Sequence, residues 1–399
     1  MFSRTSPPFI SRSAIYIVGG GLLGYGATEL LFSSETFQSK ALLPVINRYM
    51  DVESSQNLAL RFASWGFLPK YGSNRKEYPE LKCEFLGKSL KNPVGLAAGF
   101  DKNGKAIRPL AELSGFGLIE IGSVTPIPNK GNPRPRLFRL EEDEGLINRY
   151  GSNSDGVGKV HLRVRSARTE WMENAAILGI SLANNMLTDD SMLDYEIGVN
   201  YFAPYSDYIV INISPTNARN PTFVGKNGEL KKLMQYAKHL LDCSQLESRP
   251  RILLKIPPDL SEIEKKNVAS LSLDPKNGVD GLIVSDTTST RPDNLKSENR
   301  LEIGGLSGAP LRRISTECVR EMYRLTNGQV PIIGCGGISS GADAYEKIKA
   351  GASVVQLYSA LVFHGFPVVG KVKRELVELL KQDGYTNVSQ AVGADHRAR

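Results

Sequence analysis

The sequence predicts an α/β fold, a (β/α)8 TIM barrel, from the order of its apolar runs and the position of its glycines. Short apolar runs alternate with segments of helical periodicity from residue 92 onward. A doubly wound open sheet would show a similar alternation, but no G-x-G-x-x-G sequence follows the first run. The glycines stand instead after the seventh run, at Gly336 and Gly337, where barrels of this class commonly bind phosphate. The barrel is therefore the favoured architecture.

Eight apolar runs have the length and composition of barrel strands. They cover residues 94–98, 118–122, 177–182, 208–213, 252–256, 281–285, 331–335 and 353–358. The segments with helical periodicity between them include residues 229–241, 262–271, 311–325 and 342–350. Eight strand-like runs with intervening helices are the pattern expected of a (β/α)8 barrel.

Composition limits the classes of function. The chain has 399 residues, of which 41% are hydrophobic, enough for one large barrel or two ordinary domains. A formal charge of +7 favours an anionic substrate or membrane surface, whereas the dispersal of Lys and Arg among carboxylates argues against nucleic-acid binding. The four cysteines are far apart and lack C-x-x-C spacing. Neither a disulfide framework nor a metal site is predicted, and a reducing compartment is favoured.

The amino terminus is predicted to direct the chain to an organelle membrane. Residues 1–13 contain Arg4 and Arg12, several serines and no acidic residue, as organelle-targeting segments do. Residues 14–32 are largely apolar and are predicted to form a single transmembrane anchor. About 15 of them precede Glu29, slightly fewer than the ~20 that span a bilayer. A cleaved secretory signal is therefore the alternative.

Residues 36–70 are predicted to form a small helical subdomain ahead of the barrel, which is assigned to residues 76–399. Two apolar patterns within this segment suit short amphipathic helices, with a break near residues 51–54. Two alternatives remain open for the apolar faces of these helices. They either pack on the barrel or enter a membrane interface.

Polar residues follow the predicted strands, at the end where barrel enzymes keep their chemistry. Lys255 is the most informative of them, because Leu254 and Ile256 flank it and a buried lysine is costly unless it meets an anion. That anion is either a bound ligand or a carboxylate of a buried salt bridge. The turns at Gly336-Gly337 and Tyr358-Ser359 are predicted to hold a phosphate group. The strand ends carry Asp101, Lys102, Ser123, Ser181, Asn212, Lys255, Ser285, Asp286, Thr287, Gly336, Gly337, Tyr358 and Ser359.

Six motifs in chain order carry a resemblance to a known family. They are GLAAGFDK at 95–102, EIGSVTP at 120–126, GNPRPR at 131–136, NRYG at 148–151, GGLSG at 304–308 and GCGGI at 334–338. With these motifs, residues 36–399 resemble the class 2, quinone-linked dihydroorotate dehydrogenases of mitochondria. The resemblance implies a barrel that binds FMN, oxidises dihydroorotate to orotate in pyrimidine (UMP) biosynthesis and passes electrons to ubiquinone. It also implies attachment to the mitochondrial inner membrane, with residues 36–70 forming a tunnel for the quinone.

The same resemblance implies roles for individual residues. The lysine matching Lys102 holds substrate near the flavin, the one matching Lys255 stabilises the reduced flavin, and Arg139 matches an arginine of the quinone tunnel. The implied substrate residues are Lys102, Asn148, Arg149, Tyr150, Gly151, Asn212, Asn217, Asp286 and Thr287. The implied cofactor residues are Ala97, Ala98, Gly99, Ser123, Asn148, Ser181, Asn212, Lys255, Ser285, Gly308, Gly337, Tyr358 and Ser359.

The sequence departs from the family at the catalytic base. The family motif after the fourth strand is Asn-Val-Ser-Ser-Pro-Asn-Thr, with the second serine as the base, whereas residues 212–218 read NISPTNA. Pro215 therefore occupies the base position, and Ser214 is the predicted remaining candidate for the base. Two alternatives follow. The chain is either a slow dihydroorotate dehydrogenase or a catalytically inactive flavin-binding paralogue with a binding or regulatory role.

Two further departures fall in the same predicted pocket. The family's asparagines after the third and sixth strands are replaced by Ser181 and Asp286. Asp286 is expected to repel the carboxylate of the substrate, by an energy on the order of kcal/mol at low dielectric. Weaker substrate binding than is usual for the family is therefore predicted.

Overall fold

The computed structural model describes residues 33–66, 68, 75–169, 176–185, 190–213 and 228–397. Eight parallel strands form a closed barrel in which each strand pairs with the next barrel strand along the chain. The register places Asn212 opposite Lys255, which brings the ends of the fourth and fifth strands together. The predicted (β/α)8 barrel is thereby confirmed. The barrel strands are Val94–Leu96, Leu118–Val124, Ile177–Leu182, Tyr208–Asn212, Arg251–Ile256, Gly281–Val284, Ile332–Cys335 and Val354–Leu357.

An outer layer of helices follows the strands. Helix Glu262–Ser272 begins with a capping box, in which Ser261 Oγ accepts from the N–H of Glu264 at 3.3 Å and Glu264 Oε2 accepts from that of Ser261 at 2.8 Å. The four helical segments indicated by the sequence are all present. The outer helices are Ile107–Leu113, Val157–Thr169, Ser191–Phe202, Glu229–Cys243, Glu262–Ser272, Arg312–Leu325, Gly341–Ala350, Ser359–His364 and Val368–Gln382. Short 3-10 helices cover Pro79–Leu81, Ala203–Tyr205, Glu298–Leu301, Ala309–Leu311, Val388–Ala391 and Ala394–His396.

Two small antiparallel sheets lie outside the barrel, and the sequence analysis predicts neither. A hairpin of Cys83–Phe85 and Lys88–Leu90 precedes the first barrel strand. A three-stranded sheet consists of Leu137–Leu140, Gly145–Asn148 and Gly305–Gly308, which follow the second and sixth barrel strands. Strands of three or four residues are too short to show the period-two alternation that identifies a half-buried strand. The three-stranded sheet matters for function because it positions Asn148.

Two helices precede the barrel, as the sequence predicts. The first runs as α-helix over Glu35–Phe37, as π-helix over Gln38–Leu42 and again as α-helix over Leu43–Tyr49. The second helix, Val52–Ser64, packs on Ile107–Leu113 and on Leu137–Leu140. Asp51 lies at the break between the two helices and is the N-cap of the second. Its Oδ1 accepts a hydrogen bond from the N–H of Ser54 at 3.0 Å.

The segments predicted to target and anchor the chain, residues 1–13 and 14–32, lie outside the described residues. Among the helices that the structure does describe, none combines the length and the apolar character needed to cross a bilayer. The predicted transmembrane anchor therefore stays a prediction.

Candidate active site

A cleft opens at the carboxyl-terminal end of the barrel, and the space within it, counted together with the open solvent at its mouth, is about 1060 Å³. Because the carboxyl ends of all the barrel strands point to this side, residues distant in the sequence lie together here. The three-stranded sheet forms one wall of the cleft. The sequence-predicted residues that line it are Ala97, Ala98, Gly99, Lys102, Ser123, Asn148, Tyr150, Asn212, Lys255, Ser285, Asp286, Thr287, Gly308, Gly337, Tyr358 and Ser359.

Arg149 and Gly151 are predicted substrate residues that do not line the cleft. The guanidinium of Arg149 pairs with Glu302 at 2.5 Å and lies 4.3 Å from the ring centroid of Phe138. Gly151 has a φ of +70°, and a Cβ at this position would lie 2.8 Å from the side chain of Asn132. Both residues therefore shape the segment that carries Asn148 and Tyr150.

Ser181 lies one layer behind the cleft wall. It is fully buried, and its Oγ is 2.7 Å from the Oγ of Ser123, which does line the cleft. The serine at this position therefore supports Ser123. The predicted base Ser214 and the predicted substrate residue Asn217 both lie outside the described residues.

Lys255 is the penultimate residue of the fifth barrel strand and is 4% exposed. No carboxylate of the described residues lies within 4.0 Å of its ammonium group. Among these residues, Lys255 therefore forms no direct buried salt bridge. Burial by itself lowers the pKa of Lys255, but the charges of Asp286 and Glu120 more than offset that effect and raise the pKa above its usual value. Lys255 is therefore a persistent cation that faces the cleft.

Asp286 is held in place at the end of the sixth strand. Its Oδ2 accepts a hydrogen bond from the side-chain amide of Asn212 at 3.2 Å, and its Oδ1 accepts from the N–H of Thr287 at 2.8 Å. Its charge also raises the pKa of Lys255. The carboxylate that replaces the family's asparagine is thus tied to two neighbours and provides a negative charge for the lysine.

The turn after the seventh strand has a conformation that requires glycine. Gly336 and Gly337 have φ angles of +114° and +70°. A Cβ on Gly337 would lie within 2.5–2.7 Å of atoms of Arg312. The Nε of Arg312 donates to the carbonyl of Gly337 at 2.8 Å and also pairs with Asp343 at 2.8 Å, which fixes the turn from its outer side. The inner side of the turn lines the cleft.

Comparisons with known proteins agree with this arrangement. The family model described as dihydroorotate dehydrogenase matches residues 80–380. This chain belongs to the dihydroorotate dehydrogenase family. It is 45% identical over 388 residues to the protein named dihydroorotate dehydrogenase (quinone), mitochondrial, of Mus musculus, with 96% of this chain and 97% of the mouse protein covered.

A bacterial relative and a solved structure extend the comparison within the dihydroorotate dehydrogenase family. The dihydroorotate dehydrogenase (quinone) of Rhodospirillum rubrum is 44% identical over 349 residues, which is 87% of this chain and 92% of that protein. The crystal structure of the Eimeria tenella enzyme in complex with ferulenol superimposes with a TM-score of 0.83 at 38% identity. It covers 90% of this chain and 99% of the Eimeria chain. Both the fold and the sequence therefore agree with the family.

Dihydroorotate dehydrogenases of this family are FMN flavoproteins, and FMN is accordingly the cofactor of this chain. The cleft fits FMN in two respects. It offers the glycine turn at Gly336-Gly337 for a phosphate and the cation of Lys255 for an electron-rich ring. In addition, the Oγ of Ser285 is buried in the cleft wall without a hydrogen-bond partner among the described residues, as expected of a group that meets a ligand.

Lys102 lies beside the aromatic ring of Tyr150 in the dihydroorotate dehydrogenase cleft. Its Nζ is 5.1 Å from the ring centroid, and the guanidinium carbon of Arg136 is 5.3 Å from the same centroid. Desolvation and the charge of Arg136 lower the pKa of Lys102 to about 8, although Asp286 opposes them. Glu53 holds Arg136 at 2.6 Å. An anion that enters the cleft would therefore stabilise the protonated form of Lys102.

A buried polar layer beneath Lys255 was missed by the sequence analysis. Glu120, fully buried in the second strand, accepts from Gln356 Nε2 at 2.8 Å and from the hydroxyl of Tyr208 at 3.2 Å. Burial raises the pKa of Glu120. The signal was present in the sequence, since Glu120 is the one charged residue of an apolar strand. The charge of Lys255 opposes this effect of burial, and the carboxyl group of Glu120, after that of Asp286, in turn raises the pKa of Lys255.

Helix Val52–Ser64 is connected to the cleft by the side chain of Gln56. Gln56 Nε2 donates to the carbonyls of Gly99 and Phe100 at 2.9 and 2.7 Å. Its Oε1 accepts from the hydroxyl of Tyr358 at 3.0 Å. The helical subdomain therefore contacts both the first and the eighth strand ends, within reach of the cofactor site.

Proposed function

We propose that this chain is a quinone-linked dihydroorotate dehydrogenase that oxidises dihydroorotate to orotate in de novo pyrimidine biosynthesis. The observation that carries the proposal is the cleft, in which Lys102, Lys255, Asn148 and Asn212 converge. Relatives covering 96% and 87% of the chain are named dihydroorotate dehydrogenase (quinone). They give no support to the alternative of a catalytically inactive flavin-binding paralogue.

The barrel mouth is proposed to orient the cofactor and to stabilise charge. When bound, FMN supplies hydride acceptance and the subsequent transfer of electrons to a quinone. Lys255 stabilises negative charge that develops on the ring, because Asp286 and Glu120 keep its ammonium protonated in a buried setting. Small residues let a flat ring approach the backbone. The further proposed cofactor contacts are Ala97, Ala98, Gly99, Ser123, Asn148, Asn212, Ser285, Gly308, Gly337, Tyr358 and Ser359, with Ser181 as support.

The substrate is proposed to bind between Lys102 and two amides. The ammonium of Lys102 attracts the substrate carboxylate. Asn148 donates to the carbonyl of Gly305 at 3.2 Å, and Asn212 donates to Asp286, so both side chains are oriented at the cleft wall. An amide suits the pyrimidine ring, which presents donors and acceptors alternately. Tyr150, Thr287 and Asn217, with Arg149 and Gly151 as shaping residues, complete the proposed set.

Proton removal from the substrate is proposed to be the weak point of this enzyme. The family's base position holds Pro215, whose side chain has no atom that can accept a proton. Losing a positioned base typically costs ~10²–10⁴-fold in rate. Ser214 is the proposed residual base, because it keeps the Ser-Pro order of the family motif. We therefore infer a functional but slow dehydrogenase.

Purified full-length protein is expected to be yellow and to release FMN on denaturation. Anaerobic dihydroorotate should bleach the flavin absorbance, and a soluble ubiquinone analogue should restore it, because the cleft joins a cofactor site to a substrate site. The measurement is an absorbance spectrum before and after each addition. A colourless protein that takes up no FMN on reconstitution contradicts both the cofactor and the activity. A yellow protein that dihydroorotate never bleaches contradicts the activity alone.

The quinone site is proposed to lie between the helical subdomain, residues 36–70, and the barrel. Arg139 is largely buried there and donates to the carbonyl of Asn47 at 3.2 Å. Its Nε and Nη2 are buried without an acceptor among the described residues, which suits the carbonyl oxygen of a quinone. Val45, Tyr49 and Trp65 are 58%, 78% and 65% exposed on these helices. Such exposed apolar groups favour contact with a lipid interface.

The full chain is expected to fractionate with the mitochondrial inner membrane. Residues 1–13 are proposed to target it and residues 14–32 to anchor it, and relatives from mouse and Arabidopsis thaliana are named mitochondrial. Alkaline carbonate should leave the full chain in the membrane pellet, whereas a chain lacking residues 1–32 should be extracted. Recovery of the full chain in the soluble matrix fraction contradicts the anchor.

A further inference from the structure

Lys347 is a fully buried lysine on the outer side of the glycine turn. Its Nζ lies 2.9 Å from the hydroxyls of Ser315 and Thr316 and 3.3 Å from the carbonyl of Arg312. All three acceptors are neutral. No carboxylate of the described residues comes within 4.0 Å of this ammonium. A buried cation solvated only by neutral oxygens is costly unless an anion lies nearby.

The charged neighbours of Lys347 do not provide that anion. The carboxylate of Asp343 pairs with Arg312 at 2.8 Å and accepts a hydrogen bond from the N–H of Ser339 at 3.0 Å. The positive charge of Arg312 lowers the pKa of Lys347, whereas electrostatic interactions with Cys335, Glu346 and Asp343 raise it. Burial is the dominant effect and lowers the pKa of Lys347 to about 8. In the chain alone, the cation is thus poorly compensated.

The position of Lys347 identifies where an external anion would act. The Oγ of Ser315, which accepts from Lys347, donates in turn to the carbonyl of Cys335. A Cβ on Gly336 would lie 3.0 Å from Ser315, and one on Gly334 would lie 3.3 Å from the side chain of Lys347. The ammonium is therefore separated from the turn by one hydroxyl group. The opposite side of the same turn lines the cleft.

We propose that Lys347 is a positioning residue for the phosphate of the flavin, which makes the cleft select a phosphorylated flavin over its dephosphorylated form. The inference rests on the proposed placement of the phosphate at Gly336-Gly337. The lysine acts through its charge, which a low-dielectric surrounding screens weakly, and through the Ser315 contact that holds the turn. It does not touch the phosphate. Its contribution is an attraction that riboflavin, lacking the phosphate, cannot use.

The test is the substitution Lys347→Met in the full-length protein. Dissociation constants are measured for FMN, from flavin fluorescence on release from the holoenzyme, and for riboflavin, from displacement of FMN. FMN binding should weaken by about tenfold or more, a change typical of losing one poorly screened charge, while riboflavin binding stays within twofold. The melting temperature without added flavin should be unchanged or higher, because Ser315 and Thr316 keep their acceptors at Cys335 and Arg312.

Lys373 supplies the matched control. It is another buried lysine, 2% exposed, with a pKa that burial also lowers to about 8, but it donates to the carbonyl of Gly115 ahead of the second strand. Lys373→Met should leave the ratio of the two dissociation constants unchanged. Should Lys347→Met fold poorly, Lys347→Gln keeps the donors without the charge and carries the same expectation.

Two outcomes overturn the inference. Equal weakening of FMN and riboflavin binding by Lys347→Met shows a purely structural role, and unchanged binding of both shows no role. A different result tests the proposed placement of the phosphate independently of the role of Lys347. If the wild-type protein binds FMN and riboflavin equally, the phosphate site at Gly336-Gly337 fails, whatever the variant does.

Discussion

Replacing Pro215 by Ser together with Thr216 by Pro is expected to accelerate flavin reduction by dihydroorotate ~10²–10⁴-fold. The double substitution restores the family's Ser-Ser-Pro order and places a hydroxyl at the base position. A positioned base lowers the barrier of the step in which the C5 proton leaves, and proline cannot provide one. The measurement is anaerobic stopped-flow absorbance of the bound flavin after mixing with saturating dihydroorotate.

The single variant Thr216→Pro is the matched control, because it changes the backbone without restoring the base. It should not accelerate flavin reduction. A wild-type protein that already reduces its flavin at rates typical of enzymes, ~1–10³ s⁻¹, contradicts the prediction. In that case Ser214 or Thr216 is the base, and Ser214→Ala compared with Thr216→Ala identifies which. Ser214 is then the expected base.

The substitution Lys255→Met is expected to slow flavin reduction roughly 10²–10³-fold. The variant removes a buried cation and leaves the carboxylate of Asp286 uncompensated beside the cofactor, whereas burial favours the neutral form of Glu120. In the variant, negative charge on the reduced ring is repelled, whereas in the wild type Lys255 stabilises it. The midpoint potential of the bound flavin should become more negative. Both quantities are measured on holoenzyme whose FMN content equals that of the wild type.

Two further variants separate this effect from a general loss of charge. Lys266→Met removes an exposed lysine of helix Glu262–Ser272 and should change neither the rate nor the potential. Asp286→Asn removes the carboxylate but keeps an oxygen to accept from Asn212, so it should shift the potential in the positive direction and tighten dihydroorotate binding. If Lys255→Met leaves the potential unchanged, the lysine does not act on the flavin.

The barrel could be predicted from sequence because parallel strands are buried on both faces. Runs such as residues 208–211 and 252–254 are continuously apolar, and this pattern depends on burial rather than on any particular partner. The five short strands outside the barrel, such as Gly145–Asn148, could not be predicted in this way. They are stabilised by pairing with distant segments, as Gly145–Asn148 pairs with Gly305–Gly308.

The sequence by itself determined the strand ends, and the closed barrel necessarily brings them together. That is why Lys102, Lys255 and Asp286, which follow or end different strands, all line one cleft. Only the tertiary structure decided which way each side chain of an irregular segment points. Within residues 148–151, Asn148 and Tyr150 face the cleft, whereas Arg149 turns outward to Glu302.

The same limit applies to electrostatics. The sequence indicated that Lys255 needs an anion, because it stands among apolar residues. It could not show that Asp286 and Glu120 supply negative charge without a direct salt bridge, nor that Lys347 lies behind the glycine turn without a carboxylate. The reason is physical: the pKa of a buried group depends on distances to charges on other strands and helices, and these distances exist only once the barrel has closed.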